Sequence, residues 1–194
     1  VGNCMGCAIA LAYTERHQDT VTAVVLCNPL TESTFLRGWL GLFLWLRERM
    51  PGINRRVYRL LGRLKLTNGI GAAATRFQLG PRGRALGLQR DPDLCGCYAA
   101  TGQLESLLGV LDDLEHYSLI DNLAPPPGFP PLCTVWGMKN KVVSPKAGRR
   151  LNSTLHPARQ EWLPDCGHLP MMERPDEVAA IIDEFLQAAA VAQA

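Results

Sequence analysis

The sequence lacks several things, and each gap removes a class of function. Its longest uninterrupted apolar stretch, inside Phe35 to Met50, is about half of the roughly 20 residues that a membrane span needs. No integral membrane segment is therefore expected. Charge of one sign is also scarce: 20 basic against 18 acidic residues leave +2 overall, so no global field favours nucleic acid or a membrane surface. No aromatics interleave the arginines as a nucleic-acid stacking surface would require, and no nucleic-acid partner is expected. Gly80-Pro81-Arg82-Gly83 is not followed by Lys and Ser or Thr, which excludes a phosphate-binding loop. The seven cysteines (4, 7, 27, 95, 97, 133 and 166) are odd in number and irregular in spacing. They form no disulfide framework and read as reduced thiols in a reducing, cytoplasmic compartment. Beside Cys4/Cys7 and Cys95/Cys97 no second Cys or His pair stands at ligand spacing, so neither a metal nor a cofactor is expected.

What is present is enough for one sizeable core: 194 residues, 47% hydrophobic and 20% charged. Residues 5 to 17 carry small and apolar groups at helical spacing. Thr20 to Cys27 is a β-branched run, read as a strand buried on both faces and broken by Asn28-Pro29. From about residue 33 to 121 the pattern is helical, with Gly, Pro and Asn breakers between the Phe35 to Met50, Arg55 to Leu64 and Leu104 to Leu123 segments. The proline-rich stretch 125–131 is a rigid linker. Leu132 to Trp136 and Arg159 to Leu163 read as strands. A helix over 144–152 is opened by Ser144 and Pro145, and another runs from Pro175 to Ala190. This order predicts an α/β fold: a parallel sheet of about three strands with flanking helices, interrupted by a helical insertion. The division is 1–32 with 124–194 as core and 33–123 as cap.

Gly2-Asn3-Cys4-Met5-Gly6 has the G-x-nucleophile-x-G form of a nucleophile elbow. The expected reason for both glycines is steric, a Cβ at either one colliding with neighbouring strands. Such a turn lifts the thiol above the sheet and sets Met5 N–H at a helix start, where it stabilises an oxyanion and favours thiolate. Together with PPLCTVWGMKNKVVSP and EWLPDCGHLPMMERPDEVAAIIDEFL, the segment GNCMGCAIALAYTERHQDTVTAVVLCNPL resembles the α/β-hydrolase family with an inserted cap. Nearly the whole chain takes part in the likeness. The resemblance implies a partial α/β-hydrolase core, with Cys4 in the nucleophile seat (usually Ser), His168 as base and Asn140 where the family carries an acid. It also implies strands before the elbow and an oxyanion loop that this sequence does not contain. The chain therefore reads as roughly the C-terminal two-thirds of such an enzyme, expected to have little activity alone.

Two departures occur together, Ser to Cys and Asp to Asn. A thiol is far more acidic than an alcohol, so a thiolate–imidazolium pair can precede substrate, and an amide then suffices to orient the histidine. The expected activity is hydrolysis of an ester, thioester or lactone through a thioester acyl-enzyme, with a small-molecule acyl substrate. An acyltransferase or a non-catalytic binding protein on the same scaffold is the alternative, and Glu32 is a second source of a carboxylate. Trp39, Phe43 and Trp45 are expected to roof an acyl pocket. Residues 35–90 hold twelve basic side chains against Glu48 alone, which suits an anionic substrate or surface.

Overall fold

The computed structural model describes residues 1–37, 45, 49, 67–99, 103, 106, 109 and 117–192. Most of the Phe35 to Met50, Arg55 to Leu64 and Leu104 to Leu123 segments therefore lies outside the described residues, as do Trp39 and Phe43.

Four parallel strands lie side by side in chain order: β1 (Gly2–Asn3), β2 (Val24–Cys27), β3 (Leu132–Gly137) and β4 (Arg159–Leu163). This is the parallel α/β sheet expected from the sequence, with one strand more than the three anticipated. The extra strand is the two-residue segment that runs into Cys4, paired Gly2 to Leu26 and Asn3 to Cys27. Strand β2 begins later than its β-branched run suggested. Thr20, the first residue of that run, ends a 3-10 turn over Gln18–Thr20, in which its hydroxyl donates to the His17 carbonyl.

The described helices are α1 (Met5–Arg16), α2 (Glu32–Leu36), α3 (Asn68–Gln78), α4 (Pro81–Ala85), α5 (Pro92–Ala99), α6 (Ser118–Asp121), α7 (Pro145–Leu155), α8 (Pro170–Glu173) and α9 (Pro175–Ala192). Their starts follow local chemistry. Ser144 Oγ accepts from Ala147 N–H and Pro145 takes the first turn of α7, where a missing N–H costs nothing. Thr31 and Thr34 cap α2 reciprocally, each hydroxyl accepting the other's N–H.

The two faces of the sheet separate by strand alternation. Val24, Leu26, Leu132 and Trp136 join Cys7 and Leu11 of α1 and Leu151 and Leu155 of α7 in one cluster. Val25, Cys27, Cys133, Val135 and Leu163 meet Val178, Ile181 and Phe185 of α9 in the other. The α9 residues recur at three- and four-residue steps, so one stripe of the helix covers the sheet. Burial of each large side chain stabilises by about 1.5–3 kcal/mol. With both faces closed, the carboxyl ends of the strands become the place where the chain can build a site.

Candidate active site

Cys4, Asn28, Asn140 and His168 all follow the carboxyl ends of strands in this one parallel sheet. Cys4 links β1 to α1 with φ 54° and ψ −119°, a backbone conformation that non-glycine residues rarely adopt. Strain of this kind costs on the order of 1–3 kcal/mol and persists only where the surroundings enforce it. Here Cys4 N–H donates to Cys27 O at 3.0 Å, while Cys4 O accepts from Cys7 N–H at 3.1 Å and Leu30 N–H at 3.3 Å. The buried Cys7 thiol braces the turn from below, donating to the Gly2 and Cys27 carbonyls.

The two elbow glycines are not equivalent, which corrects the steric expectation. A Cβ at Gly2 would stand 2.4 Å from Gly6 O and 2.7 Å from Cys7 N, so residue 2 must be small. The obstacle is the backbone of α1, not a neighbouring strand. A Cβ at Gly6 would meet open space.

His168 follows β4 and is buried, with 5% of its surface exposed. Three contacts set its backbone. Its N–H donates to Gln78 O at 2.7 Å, and Asn28 Nδ2 donates to the carbonyls of both Gly167 and His168. Gly167 N–H donates to Glu173 Oε1. Glu173 is itself fully buried, and its Oε2 accepts from the Gly80 and Gly83 N–H groups. This one carboxylate therefore ties the α3–α4 corner to the histidine loop.

Asn140, in the loop after β3, is nearly buried. Its Oδ1 accepts from Val142 N–H at 2.9 Å and Val143 N–H at 3.2 Å, and its Nδ2 lies 3.1 Å from His168 Nδ1. The amide placed by sequence in the acid seat thus does contact the imidazole. Glu32, the alternative carboxylate, lies in the first turn of α2, and the Nδ1 side of His168 is taken by Asn140. Gly137 lets this loop approach: a Cβ there would stand 1.9 Å from Gly167 O. Trp45 is about half exposed, with the Arg49 guanidinium 5.3 Å from its ring centre. Among the described residues nothing joins it to the elbow.

Burial controls the protonation states. It pushes the Cys4 thiol up to about 11, with Met5 N–H pulling the other way but by less. The helix start thus acts in the expected direction and desolvation outweighs it. Burial also lowers His168 to about 4. Near neutral pH the resting site therefore holds a thiol and an uncharged imidazole, not a preformed ion pair. Among the described residues no three-ligand metal cluster occurs and no helix is long and apolar enough to cross a membrane.

Asn28 is the site residue that sequence reading missed. It is fully buried with φ 47°, its Nδ2 holds the two histidine-loop carbonyls, and its Oδ1 accepts from Gly137 N–H at 3.0 Å. The sequence signal was present in Asn28-Pro29, since Asn tolerates left-handed backbone. As a strand breaker alone, though, the pair carries no hint of a bridge 140 residues long.

A parallel sheet with a strained cysteine turn after one strand and a buried histidine after another defines an α/β-hydrolase-type scaffold. Residues 1–175 match the family described as alpha/beta hydrolase fold, and the chain belongs to it. No curated protein matches the sequence. Among solved structures it is similar to a bacterial membrane phospholipase A (21% identity, TM-score 0.66, 97% of this chain and 56% of that one). A thermophilic esterase of Thermogutta terrifontis is similar too (20%, 0.70, 97% and 64%). So is the enol-lactonase of Burkholderia xenovorans LB400 (19%, 0.57, 96% and 64%). The chain spans about three-fifths of the length of these structures.

Proposed function

We propose that the full-length protein is a hydrolase-type enzyme acting on ester, thioester or lactone carbonyls, with Cys4 as nucleophile. His168 carries the proton, Asn140 positions the imidazole, and Met5 N–H supplies half of an oxyanion hole. The observation that carries this reading is the Cys4 turn itself, a strained conformation held by three backbone bonds at the carboxyl edge of the sheet. Strain that the surroundings over-determine clusters at active sites, which supports a chemical role for this residue. Cys4 Sγ would attack the carbonyl carbon, and the bond to the leaving alcohol or thiol would break. The thiol proton would reach the leaving group by way of His168. Water then cleaves the thioester, releasing the acid and returning a proton to the thiol. In an acyltransferase an alcohol or thiol takes the place of that water.

In this reading residues 33–123 form a cap, with Trp39, Phe43 and Trp45 over the acyl chain and the basic side chains of 35–90 attracting anionic substrates. The seven unpaired cysteines suit a reducing, cytoplasmic setting. A second reading, a hydrolase-like protein that binds without turnover, is favoured by one observation: both Cys4 and His168 rest uncharged.

Incubating the full-length protein with a p-nitrophenyl ester and an acyl thioester tests the choice. Turnover abolished by Cys4→Ala, with an acyl mass added to the Cys4 peptide in acid-quenched samples, is the expected result. Binding of the ester with neither turnover nor adduct would establish the second reading. Turnover unaffected by Cys4→Ala would remove Cys4 from the chemistry.

A further inference from the structure

The amide of Asn140 has a definite orientation, and that orientation has a consequence for the proton on His168. Oδ1 accepts two backbone N–H groups, those of Val142 and Val143. Turning the amide over would aim NH2 hydrogens at both donors and leave two peptide groups without partners, one of them on the fully buried Val143. Each orphaned buried group costs about 1–3 kcal/mol, so the backbone selects the orientation. The atom left facing His168 Nδ1, at 3.1 Å, is Nδ2, which has hydrogens to give and no lone pair to offer. Nδ1 must therefore accept. A neutral imidazole has one ring proton, and it then sits on Nε2.

We propose that Asn140 is a positioning residue that holds the resting His168 as the Nε2–H tautomer, so the imidazole meets the elbow as a hydrogen-bond donor and must shift to the disfavoured Nδ1–H tautomer before it can carry the thiol proton. This inference rests on the reading of Cys4 and His168 as partners. A base at Nε2 needs a lone pair there, which requires a proton on Nδ1, directly against the Nδ2 hydrogens. The same clash opposes an imidazolium, whose two N–H groups leave Nδ1 nothing with which to accept. Burial of the ring works in the same sense. In serine proteases the equivalent carboxylate-to-amide exchange lowers kcat by about four orders of magnitude through the wrong tautomer. A carboxylate at position 140 would keep both backbone bonds with one oxygen and present the other to an Nδ1–H. The choice between donor and base thus turns on a single side-chain atom.

The test is long-range 1H–15N spectroscopy of the histidine rings in the uniformly labelled full-length protein, with His168→Gln used for assignment. The wild type is expected to show an unprotonated Nδ1 and a protonated Nε2 at His168, and Asn140→Asp the reverse. Iodoacetamide labelling of Cys4 at pH 7 should then quicken about tenfold or more in Asn140→Asp. If that variant does not fold, Asn140→Ala serves: loss of the Nδ2 donor should give a mixed tautomer signal. A wild-type His168 with its proton on Nδ1, or a spectrum unmoved by either substitution, overturns the proposal. A spectrum that inverts while Cys4 labelling stays constant supports the tautomer assignment and overturns the pairing of Cys4 with His168.

Discussion

The buried imidazole of His168 makes stability depend on pH in a window set by its two protonation equilibria. Solvent-exposed histidine in the unfolded chain takes up a proton as pH falls below 6.5, whereas in the fold burial delays uptake until about 4. Between those values only the unfolded chain gains the proton, so falling pH favours unfolding. Stability is full above 6.5, declines through the window and levels off near 4. The interval of two and a half pH units, at about 1.4 kcal/mol each, amounts to about 3 kcal/mol from this one residue. Replacement by glutamine removes the titration while keeping a polar side chain beside Asn140. Urea unfolding of wild type and His168→Gln, followed by tryptophan fluorescence from pH 7.5 to 4, isolates the term, because carboxylates that titrate in the same range cancel in the difference. The stability difference between the two proteins should shift by about 3 kcal/mol in favour of the variant as pH falls. A difference that stays constant from pH 7.5 to 4 would refute the reasoning and place His168 in contact with water.

Three further substitutions probe the scaffold around the site. Gly137→Ala places a methyl 1.9 Å from Gly167 O and should cost about 3 kcal/mol or more, since backbone on both sides must move. Gly6→Ala, in open space within α1, should stabilise by about 0.5–1 kcal/mol. Thermal melts of the two variants that shifted alike would contradict the geometry. Glu173→Gln turns one of the oxygens that hold the Gly80, Gly83 and Gly167 N–H groups into a donor and should cost about 2–4 kcal/mol. Hydrogen exchange should then quicken at Gly80, Gly83 and Gly167, and unchanged protection there would rule out the bridge.

The legible parts of this molecule were those whose cause is local. Ser144-Pro145 opens a helix wherever it stands, because a hydroxyl acceptor and a preset φ act within one turn. The runs Leu132 to Trp136 and Arg159 to Leu163 became strands within a residue of their expected limits. The spacing of glycine around Cys4 marked the elbow, and Asp165-Cys166-Gly167-His168 the histidine loop. The 3-10 turn at Gln18–Thr20 takes only the first residue of the β-branched run, and there the Thr20 hydroxyl bonds back to the His17 carbonyl.

By itself, then, the order of apolar runs and breakers determined a parallel α/β sheet and the residue types at its carboxyl edge, because backbone preference and burial pattern act over a few residues. The tertiary structure decided what those residues can do. Val142 and Val143 N–H aim the Asn140 amide from within its own turn, but only the fold sets the NH2 against His168, and only packing buries that imidazole, and the Cys4 thiol in part, so that both rest uncharged. The proton position and charge of His168 answer to groups that meet only in the fold, and no local pattern brings Asn140 to the imidazole.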